Sequence, residues 1–188
     1  MQLIKMKVTK IKTKSMKIYQ IENFLSGEEC TQLIELVNKS NDRFQNNDFS
    51  RDTIYLPNNL EIIRELNVRI HQLLNIPENK GEDIQFQLYN QGGYLPEHYD
   101  FFRTDNQNDI EQIQSKGQRK WTFLIYLNNV ELGGDTHFIY ENIKIKPKVG
   151  LAVYWTNIKK GLPNFDSLHE GCQVINGNKY ILTKGIRN

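Results

Sequence analysis

Long apolar runs, cysteines and an excess of charge of one sign are all scarce in this sequence of 188 residues. No apolar segment is long enough for a secretory signal or a membrane span, so we expect a soluble, intracellular protein. Cys30 and Cys172 are the only cysteines, and their spacing matches neither a metal-binding motif nor a disulfide framework. We therefore expect two free thiols in a reducing compartment.

Positive and negative charges nearly balance, since the formal net charge is only +2. This balance gives no reason to expect a nucleic-acid or membrane partner. Lysines concentrate in residues 1–16, which we interpret as a basic N-terminal tail or an exposed edge strand. The chain lacks repeats and linker-like segments, so residues 17–188 are expected to form a single domain. Nothing in the sequence indicates an oligomeric state.

Two segments in the first half have the spacing of amphipathic helices. Ser26 and Glu29 form a capping box ahead of apolar residues that recur at helical spacing. A second apolar face extends from Leu60 to Leu74 and ends before Pro77. The sequence therefore predicts two helices before residue 77.

From about residue 83 onward, apolar residues alternate with a period of two, which is typical of β-strands. The clearest segments are 84–88, 121–127 and 151–155. Helices followed by many short strands predict an α+β, mainly β fold. The natural candidate is a double-stranded β-helix, or jelly roll, with the N-terminal helices packed outside.

Two segments that connect the predicted strands allow specific predictions. Asn176-Gly177-Asn178 separates the short strand-like segments 171–175 and 179–183, and Asn-Gly at this place predicts a β-hairpin. Residues 101–117 are polar and show no sustained period. We expect them to form a mobile loop that orders over a bound substrate, because long loops inside compact domains are commonly functional.

Histidines and aspartates in the strand-rich half offer a candidate metal site. His98 and Asp100 point to the same side if their segment is extended, and His169 precedes another strand. Two imidazoles and one carboxylate leave coordination positions open on iron(II), as oxygen-activating enzymes require. Asp135 and His137 have the same spacing in reverse order, so spacing alone does not choose between the pairs. It also leaves open that all these residues are polar surface residues of a β-protein.

Five blocks in order along the chain resemble one known family. The blocks are IENFLSGEECTQLIEL, NIPENKGEDIQFQLYNQGGYLPEHYDFF, GQRKWTFLIYLNNVELGGDTHF, KPKVGLAVYW and DSLHEGCQVINGNKY. From about Ile18 to Ile186 the sequence resembles the catalytic domain of prolyl 4-hydroxylases, which are 2-oxoglutarate- and iron(II)-dependent dioxygenases. The resemblance implies that the iron ligands are His98, Asp100 and His169. It thereby favours the first of the two aspartate–histidine pairs.

The same resemblance implies roles for other residues. Lys179 shares a strand face with Ile181 and Thr183, an unfavourable place for an ammonium group unless an anion binds there. The resemblance makes that anion the distal carboxylate of 2-oxoglutarate, and thus places Lys179 among the catalytic and cosubstrate residues. It implies that further residues lie near the cosubstrate (Tyr89 and Thr136, the latter pointing inward) and near a peptide groove (Arg119, Glu82 and Arg51).

The implied activity is hydroxylation of peptidyl proline. It would consume molecular oxygen and 2-oxoglutarate, release succinate and carbon dioxide, and use ascorbate as a further cofactor. The implied substrate is a Pro-rich or extended polypeptide. Two alternatives stay open: the same chemistry on another residue or small molecule, and a non-catalytic jelly-roll binding module.

One departure from the family pattern concerns the substrate pocket. The family usually has tryptophan at the positions that Tyr180 and Gly185 occupy here. The second ring would line the pocket in the family. Its absence at Gly185 predicts a wider or differently shaped substrate site.

Overall fold

The computed structural model describes residues 6–39, 44–46, 49 and 51–188. Within these ranges the α-helices are Gly27–Asn38 (α1), Glu61–Leu74 (α2) and Gln107–Lys116 (α3). The strands are Lys7–Lys10 (β1), Ile18–Glu22 (β2), Phe44–Asn46 (β3), Arg51–Tyr55 (β4), Gln85–Tyr89 (β5), Leu95–His98 (β6), Arg119–Tyr126 (β7), Leu132–Gly133 (β8), Thr136–Phe138 (β9), Ile143–Ile145 (β10), Ala152–Thr156 (β11), Ile158–Lys159 (β12), Leu162–Pro163 (β13), His169–Gly171 (β14), Val174–Asn176 (β15) and Lys179–Arg187 (β16).

Two antiparallel sheets make up the body of the fold. The larger sheet has the strand order β1-β2-β11-β7-β16-β5-β4-β3, and the smaller has the order β10-β9-β14-β6. Two short strand pairs, β12 with β13 and β8 with β15, complete the described part. Antiparallel sheets joined in this way form a jelly roll. The predicted α+β, mainly β fold with a jelly-roll core is therefore confirmed.

Apolar side chains lie on both faces of the larger sheet. On the outer face, Phe123 belongs to one buried cluster with Leu33 of α1 and Ile70 of α2. On the inner face, Leu124 belongs to a second cluster that includes Phe138 of the smaller sheet. Consecutive strand residues point to opposite faces, so β7 contributes to both clusters. The helices α1 and α2 thus pack outside the jelly roll, as predicted.

Local chemistry fixes the ends of the two predicted helices. The Glu29 N–H donates to the Ser26 hydroxyl at 3.1 Å, and the Ser26 N–H donates to the Glu29 carboxylate at 2.7 Å. This is the predicted capping box of α1. Helix α2 ends at Asn75 in the left-handed conformation (φ 52°), two residues before Pro77. None of the described helices combines the length and apolar character that a membrane crossing requires.

The described part of the basic N-terminal segment is an edge strand and not a free tail. Strand β1 pairs with β2 and exposes all four of its residues. Beyond it, the Glu141 carboxylate accepts hydrogen bonds from the backbone of Lys14, Ser15 and Met16. The division into residues 1–16 and 17–188 stays a prediction, as does the intracellular location.

The hairpin predicted around Gly177 is wrong. Strand β15 pairs with β8, whereas β16 pairs with β5 and β7 in the larger sheet. Gly177 does have the positive φ of 85° that an Asn-Gly turn requires. The dipeptide therefore indicated the backbone conformation of the turn correctly, but the turn leads from one sheet to another.

The prediction that residues 101–117 lack regular structure is also wrong, because they contain α3. The Asn106 side chain accepts from the Asp109 N–H at 2.8 Å, and the helix ends at Gly117 with φ 82°. No residue of α3 is buried. Without a buried face there is little apolar periodicity in the sequence, which explains why the helix was missed. A lid role for this segment stays a prediction.

Candidate functional site

Three donor side chains converge where β6 and β14 lie side by side. His98 ends β6, His169 begins β14, and the two residues are register partners. The Asp100 carboxylate lies between them: its Oδ1 is 3.6 Å from His98 Nε2 and its Oδ2 is 3.6 Å from His169 Nε2. Nitrogen and oxygen ligands bind divalent metals at about 2.1 Å. Donors at these separations can therefore all reach one ion.

Backbone carbonyls orient both imidazole rings. His98 Nδ1 lies 2.7 Å from the Pro96 carbonyl oxygen, and His169 Nδ1 lies 2.9 Å from that of Ser167. A carbonyl only accepts, so each Nδ1 carries a hydrogen, and the neutral form of either ring has its Nε2 lone pair toward Asp100. Burial lowers the pKa of His169 to about 4, which keeps this ring neutral at pH 7. Neutral imidazole is the form that binds metals.

Asp100 is held by hydrogen bonds from β7. The Thr122 hydroxyl donates to Asp100 Oδ2 at 2.7 Å, and the Asn157 amide donates to the Thr122 oxygen at 2.8 Å. Arg119 Nη1 donates to the Asp100 carbonyl at 2.8 Å. Burial raises the pKa of Asp100, but the two histidines, Arg119 and Thr122 outweigh it and hold that pKa below its ordinary value. The carboxylate is thus ionised and fixed in position, as a metal ligand must be.

A cavity of about 360 Å³ opens beside these donors, between the two sheets. Every site residue expected from the sequence contributes to its lining: His98, Asp100, His169, Lys179, Tyr89, Thr136, Arg119, Glu82 and Arg51. The structure therefore brings the whole predicted set together. The cavity is large enough for a dicarboxylate next to a metal ion.

Lys179 lies at the buried end of this cavity and is only 1% exposed. Its ammonium nitrogen is 5.0 Å from the ring centre of Tyr89 and 5.8 Å from that of Tyr126. Among the described residues it has no hydrogen-bond or ion-pair partner. Burial lowers its pKa to about 8. A buried ammonium without an anion is unfavourable, so the carboxylate of a bound ligand would supply the missing partner.

Comparison with known proteins decides the family. A family model described as the 2OG-Fe(II) oxygenase superfamily matches residues 84–187, which include all three donors and Lys179. The chain belongs to the 2OG-Fe(II) oxygenase superfamily. Its donor set of two imidazoles and one carboxylate fits iron(II), with positions left for the cosubstrate and molecular oxygen.

The relatives of this oxygenase confirm the resemblance to prolyl 4-hydroxylases. Human prolyl 4-hydroxylase subunit alpha-1 is 32% identical over 124 residues, covering 65% of this chain. The chain spans only 23% of the length of that relative. Probable prolyl 4-hydroxylase 3 of Arabidopsis thaliana is 31% identical over 202 residues, covering 89% of this chain and 68% of the relative. The viral collagen prolyl hydroxylase of Paramecium Bursaria Chlorella virus-1, solved with 2OG, has a TM-score of 0.73 and 27% identity over 90% of this chain and 94% of its own.

The space next to Gly185 in this oxygenase is filled by an ion pair. Arg119 donates from Nε to Glu82 Oε1 at 2.9 Å and from Nη2 to Oε2 at 2.7 Å. A Cβ atom at Gly185 would lie 2.5 Å from both Arg119 Nε and the Glu82 carboxylate. The paired charges therefore occupy the volume beside Gly185, and the expectation of a wider or differently shaped substrate site stays a prediction.

Hydroxyl groups line the cavity near the cosubstrate residues. Tyr89 donates to the Gln87 side chain at 2.7 Å, and Tyr126 donates to the Thr136 hydroxyl at 2.6 Å. Thr136 is buried and faces the cavity, as the resemblance implied. His137, one residue later, does not line the cavity and lies on the other side of the strand.

The sequence interpretation missed Thr122, Asn157 and Trp155. Thr122 and Trp155 line the cavity, and Asn157 is fully buried behind Thr122. A signal for Thr122 was present, since it lies two residues before Leu124 on β7 and therefore points to the same inner face. No comparable signal marks Asn157, because it lies just after β11, outside the alternating run.

Proposed function

We propose that this oxygenase hydroxylates peptidyl proline, with iron(II) held by His98, Asp100 and His169. The observation that carries the proposal is a three-donor metal cluster in one cavity with a buried lysine that has no hydrogen-bond or ion-pair partner among the described residues. When bound, iron supplies the oxidation: one oxygen atom enters the substrate C–H bond, while 2-oxoglutarate takes the other and leaves as succinate and carbon dioxide.

Lys179 binds the distal carboxylate of 2-oxoglutarate. It stands on the first residue of β16, whose backbone pairs with Tyr89 on β5, so a long flexible side chain projects into the cavity from a rigid base. The bound carboxylate relieves the desolvation of the ammonium group. Tyr89 and Thr136 form the walls around this part of the cosubstrate.

Asp100 is positioned by Thr122 and Arg119, as described above. Both contacts originate on β7, in the centre of the larger sheet. The carboxylate therefore stays aligned with the two imidazoles before any ligand arrives. Such alignment reduces the reorganisation needed during the reaction.

The substrate end of the cavity carries Arg119, Glu82 and Arg51. Arg119 and Glu82 engage each other, so they shape the cavity and leave Arg51 as a donor for the substrate. The Arg51 guanidinium interacts with the Tyr89 hydroxyl, but its Nε is buried and has no hydrogen-bond partner among the described residues. An extended polyproline segment has unpaired backbone carbonyls that such a donor can bind, and it loses little entropy on binding. The relatives named as prolyl 4-hydroxylases support proline as the target.

The Arg119–Glu82 pair beside Gly185 also favours a second candidate, the same oxygenase chemistry on another residue or on a small molecule. It gives the cavity a charged side where the family has an aromatic ring. A substrate with a polar group at that place would fit it better than a proline ring.

Mass spectrometry separates the two candidates. Pro-rich peptides are incubated with enzyme, iron(II), ascorbate and 2-oxoglutarate, and succinate is measured in parallel. We expect a gain of one oxygen on proline, strongly reduced in Lys179→Ala at a 2-oxoglutarate concentration that just saturates the wild type, and slower turnover without ascorbate. Succinate release without modified proline, across varied Pro-rich peptides, would disprove prolyl hydroxylation and leave the oxygenase activity intact.

A further inference from the structure

A second group of metal-binding side chains lies on the outward face of the smaller sheet. It consists of His137, Glu170 and Cys172, and one donor atom from each lies within 4.8 Å of the others. His137 Nδ1 is 3.0 Å from Glu170 Oε1, and Cys172 Sγ is 3.6 Å from the same oxygen. Of these three residues only Glu170 also contributes to the lining of the cavity, and the proposed oxygenase reaction assigns no role to any of them.

Strand pairing fixes the positions of the three residues. His137 on β9 and Glu170 on β14 are direct register partners. Cys172 follows two residues after Glu170 and so points to the same side, and its N–H donates to the Asp135 carbonyl at 2.8 Å. The three donors therefore project from adjacent paired backbone and not from separate mobile loops.

We propose that His137, Glu170 and Cys172 form a second metal site for a borderline-soft divalent cation of the zinc type. Imidazole, carboxylate and thiolate are the usual zinc ligands, and water would complete a tetrahedral set. The sulfur ligand distinguishes this site from the inner cluster, which offers only nitrogen and oxygen. Ligand softness thus assigns a thiophilic metal to the outer face and iron(II) to the inner one.

A metal that binds at this site must displace the proton of the Cys172 thiol. Burial raises the pKa of Cys172, and the Glu170 carboxylate raises it further. The thiol is therefore protonated at neutral pH, and binding of a dication would release its proton to solvent as the sulfur–metal bond forms. His137 and Glu170 side chains are 17% and 32% exposed, so an ion can reach them from solution.

His137 is not saturated by hydrogen bonds in the described structure. Its Nδ1 faces Glu170, whereas its Nε2 is buried without a partner. A bound metal would replace a side-chain hydrogen bond by coordination and would tie β9 to β14. The same two strands carry Thr136 and His169 on their inner faces. Occupancy of the outer site should therefore stiffen the wall of the cavity.

Cobalt(II) titration of the metal-free, fully reduced protein tests the proposal. A thiolate bound to cobalt gives a strong near-ultraviolet charge-transfer band, and the inner cluster contains no sulfur. We expect the band in the wild type together with a second bound equivalent of metal. In Cys172→Ser, the band and that equivalent should be lost, while the nitrogen- and oxygen-bound equivalent remains.

Matched variants keep the result interpretable. Cys30→Ala removes the other thiol, which lies on the buried face of α1, and should retain the band. His98→Ala should lose the inner equivalent and retain the band. Zinc should raise the melting temperature of His98→Ala by roughly 5 °C, and should leave that of His98→Ala/Cys172→Ser unchanged. Absence of the band in the wild type, or its persistence in Cys172→Ser, would overturn the proposal without affecting the inner site.

Discussion

The smaller sheet carries two donor clusters on opposite faces, an inner one at β6 and β14 and an outer one at β9 and β14, and the two are built differently. On the inner face, the Nδ1 atoms of His98 and His169 are engaged by backbone carbonyls, so both rings are fixed by the main chain. On the outer face, the ring of His137 is held by the side chain of Glu170. A backbone partner cannot rotate away, whereas a glutamate side chain can. The inner cluster is therefore preorganised, and the outer one depends on its ligand for order.

Electrostatics separates the two faces as well. The histidines, Arg119 and Thr122 hold the pKa of Asp100 below its ordinary value despite its burial, so the inner carboxylate is ready to bind a cation. Burial and Glu170 raise the pKa of Cys172, so the outer thiol must lose a proton first.

Replacing one histidine on each face tests this comparison most directly. His98→Ala should reduce succinate formation by more than about 100-fold, because it removes a prepared ligand and leaves two. His137→Ala should reduce it by less than about threefold, since that ring does not line the cavity. Bound iron, measured in both variants, should follow the same order. A large loss in His137→Ala with little change in His98→Ala would reverse the assignment of the two clusters.

The next effect in size concerns the cosubstrate. Lys179→Ala should weaken 2-oxoglutarate binding by roughly ten- to hundredfold, because a charge-assisted hydrogen bond contributes about 1.5–3 kcal/mol. Iron should remain bound. Lys144→Ala is the matched control, since Lys144 is exposed and is the register partner of His137 on the outer face. Equal affinity in wild type and Lys179→Ala, measured by calorimetry, would remove Lys179 from the cosubstrate site.

The affinity for 2-oxoglutarate should also fall with rising pH. Burial lowers the pKa of Lys179 to about 8, so the free site carries its charge below pH 8 and loses it above. A ligand anion binds only the charged form, and affinity should drop roughly tenfold between pH 7 and pH 9. Lys179→Arg keeps its charge over this range and should show a nearly flat profile. The same slope in both proteins would show that another group titrates.

Much of the fold followed from the sequence because hydrophobic periodicity records which faces are buried. Helices α1 and α2 and strands β5, β7 and β11 all bury an apolar face, and their positions were predicted. Helix α3 buries no residue, so its sequence lacks a sustained apolar face at helical spacing. The turn at Gly177 was recognised, but strand partners depend on long-range packing that a dipeptide does not encode.

The sequence motifs predicted the residues of the site, but not the hydrogen bonds that hold those residues in place. The site residues that were predicted correctly to lie together were found because the resemblance aligned them. Spacing alone could not separate His98 and Asp100 from Asp135 and His137, since both pairs have strand periodicity. The contact from Asn157 to Thr122 joins residues 35 positions apart. Nothing local in the sequence signals such a contact.

The smallest expected effect concerns the hydrogen bond that holds Asp100 in place. Thr122→Val removes the hydroxyl that donates to Asp100 Oδ2 at 2.7 Å and leaves a side chain of similar shape. With metal bound, the carboxylate shares its charge with the ion, so the lost hydrogen bond resembles a neutral one of about 1 kcal/mol. Iron affinity should therefore fall roughly fivefold. Turnover at saturating iron should fall less, because the metal itself then holds the carboxylate.

Two further variants distinguish positioning from packing. Thr122→Ser keeps the hydroxyl and loses a methyl group, so it should restore iron affinity even if the protein becomes slightly less stable. Asn157→Ala leaves Thr122 in place but removes the donor behind it at 2.8 Å, and should give an intermediate affinity. If Thr122→Ser binds iron as weakly as Thr122→Val, the residue acts through packing against its neighbours. The inner cluster would then owe its order to the two backbone carbonyls and to the contact from Arg119 to Asp100.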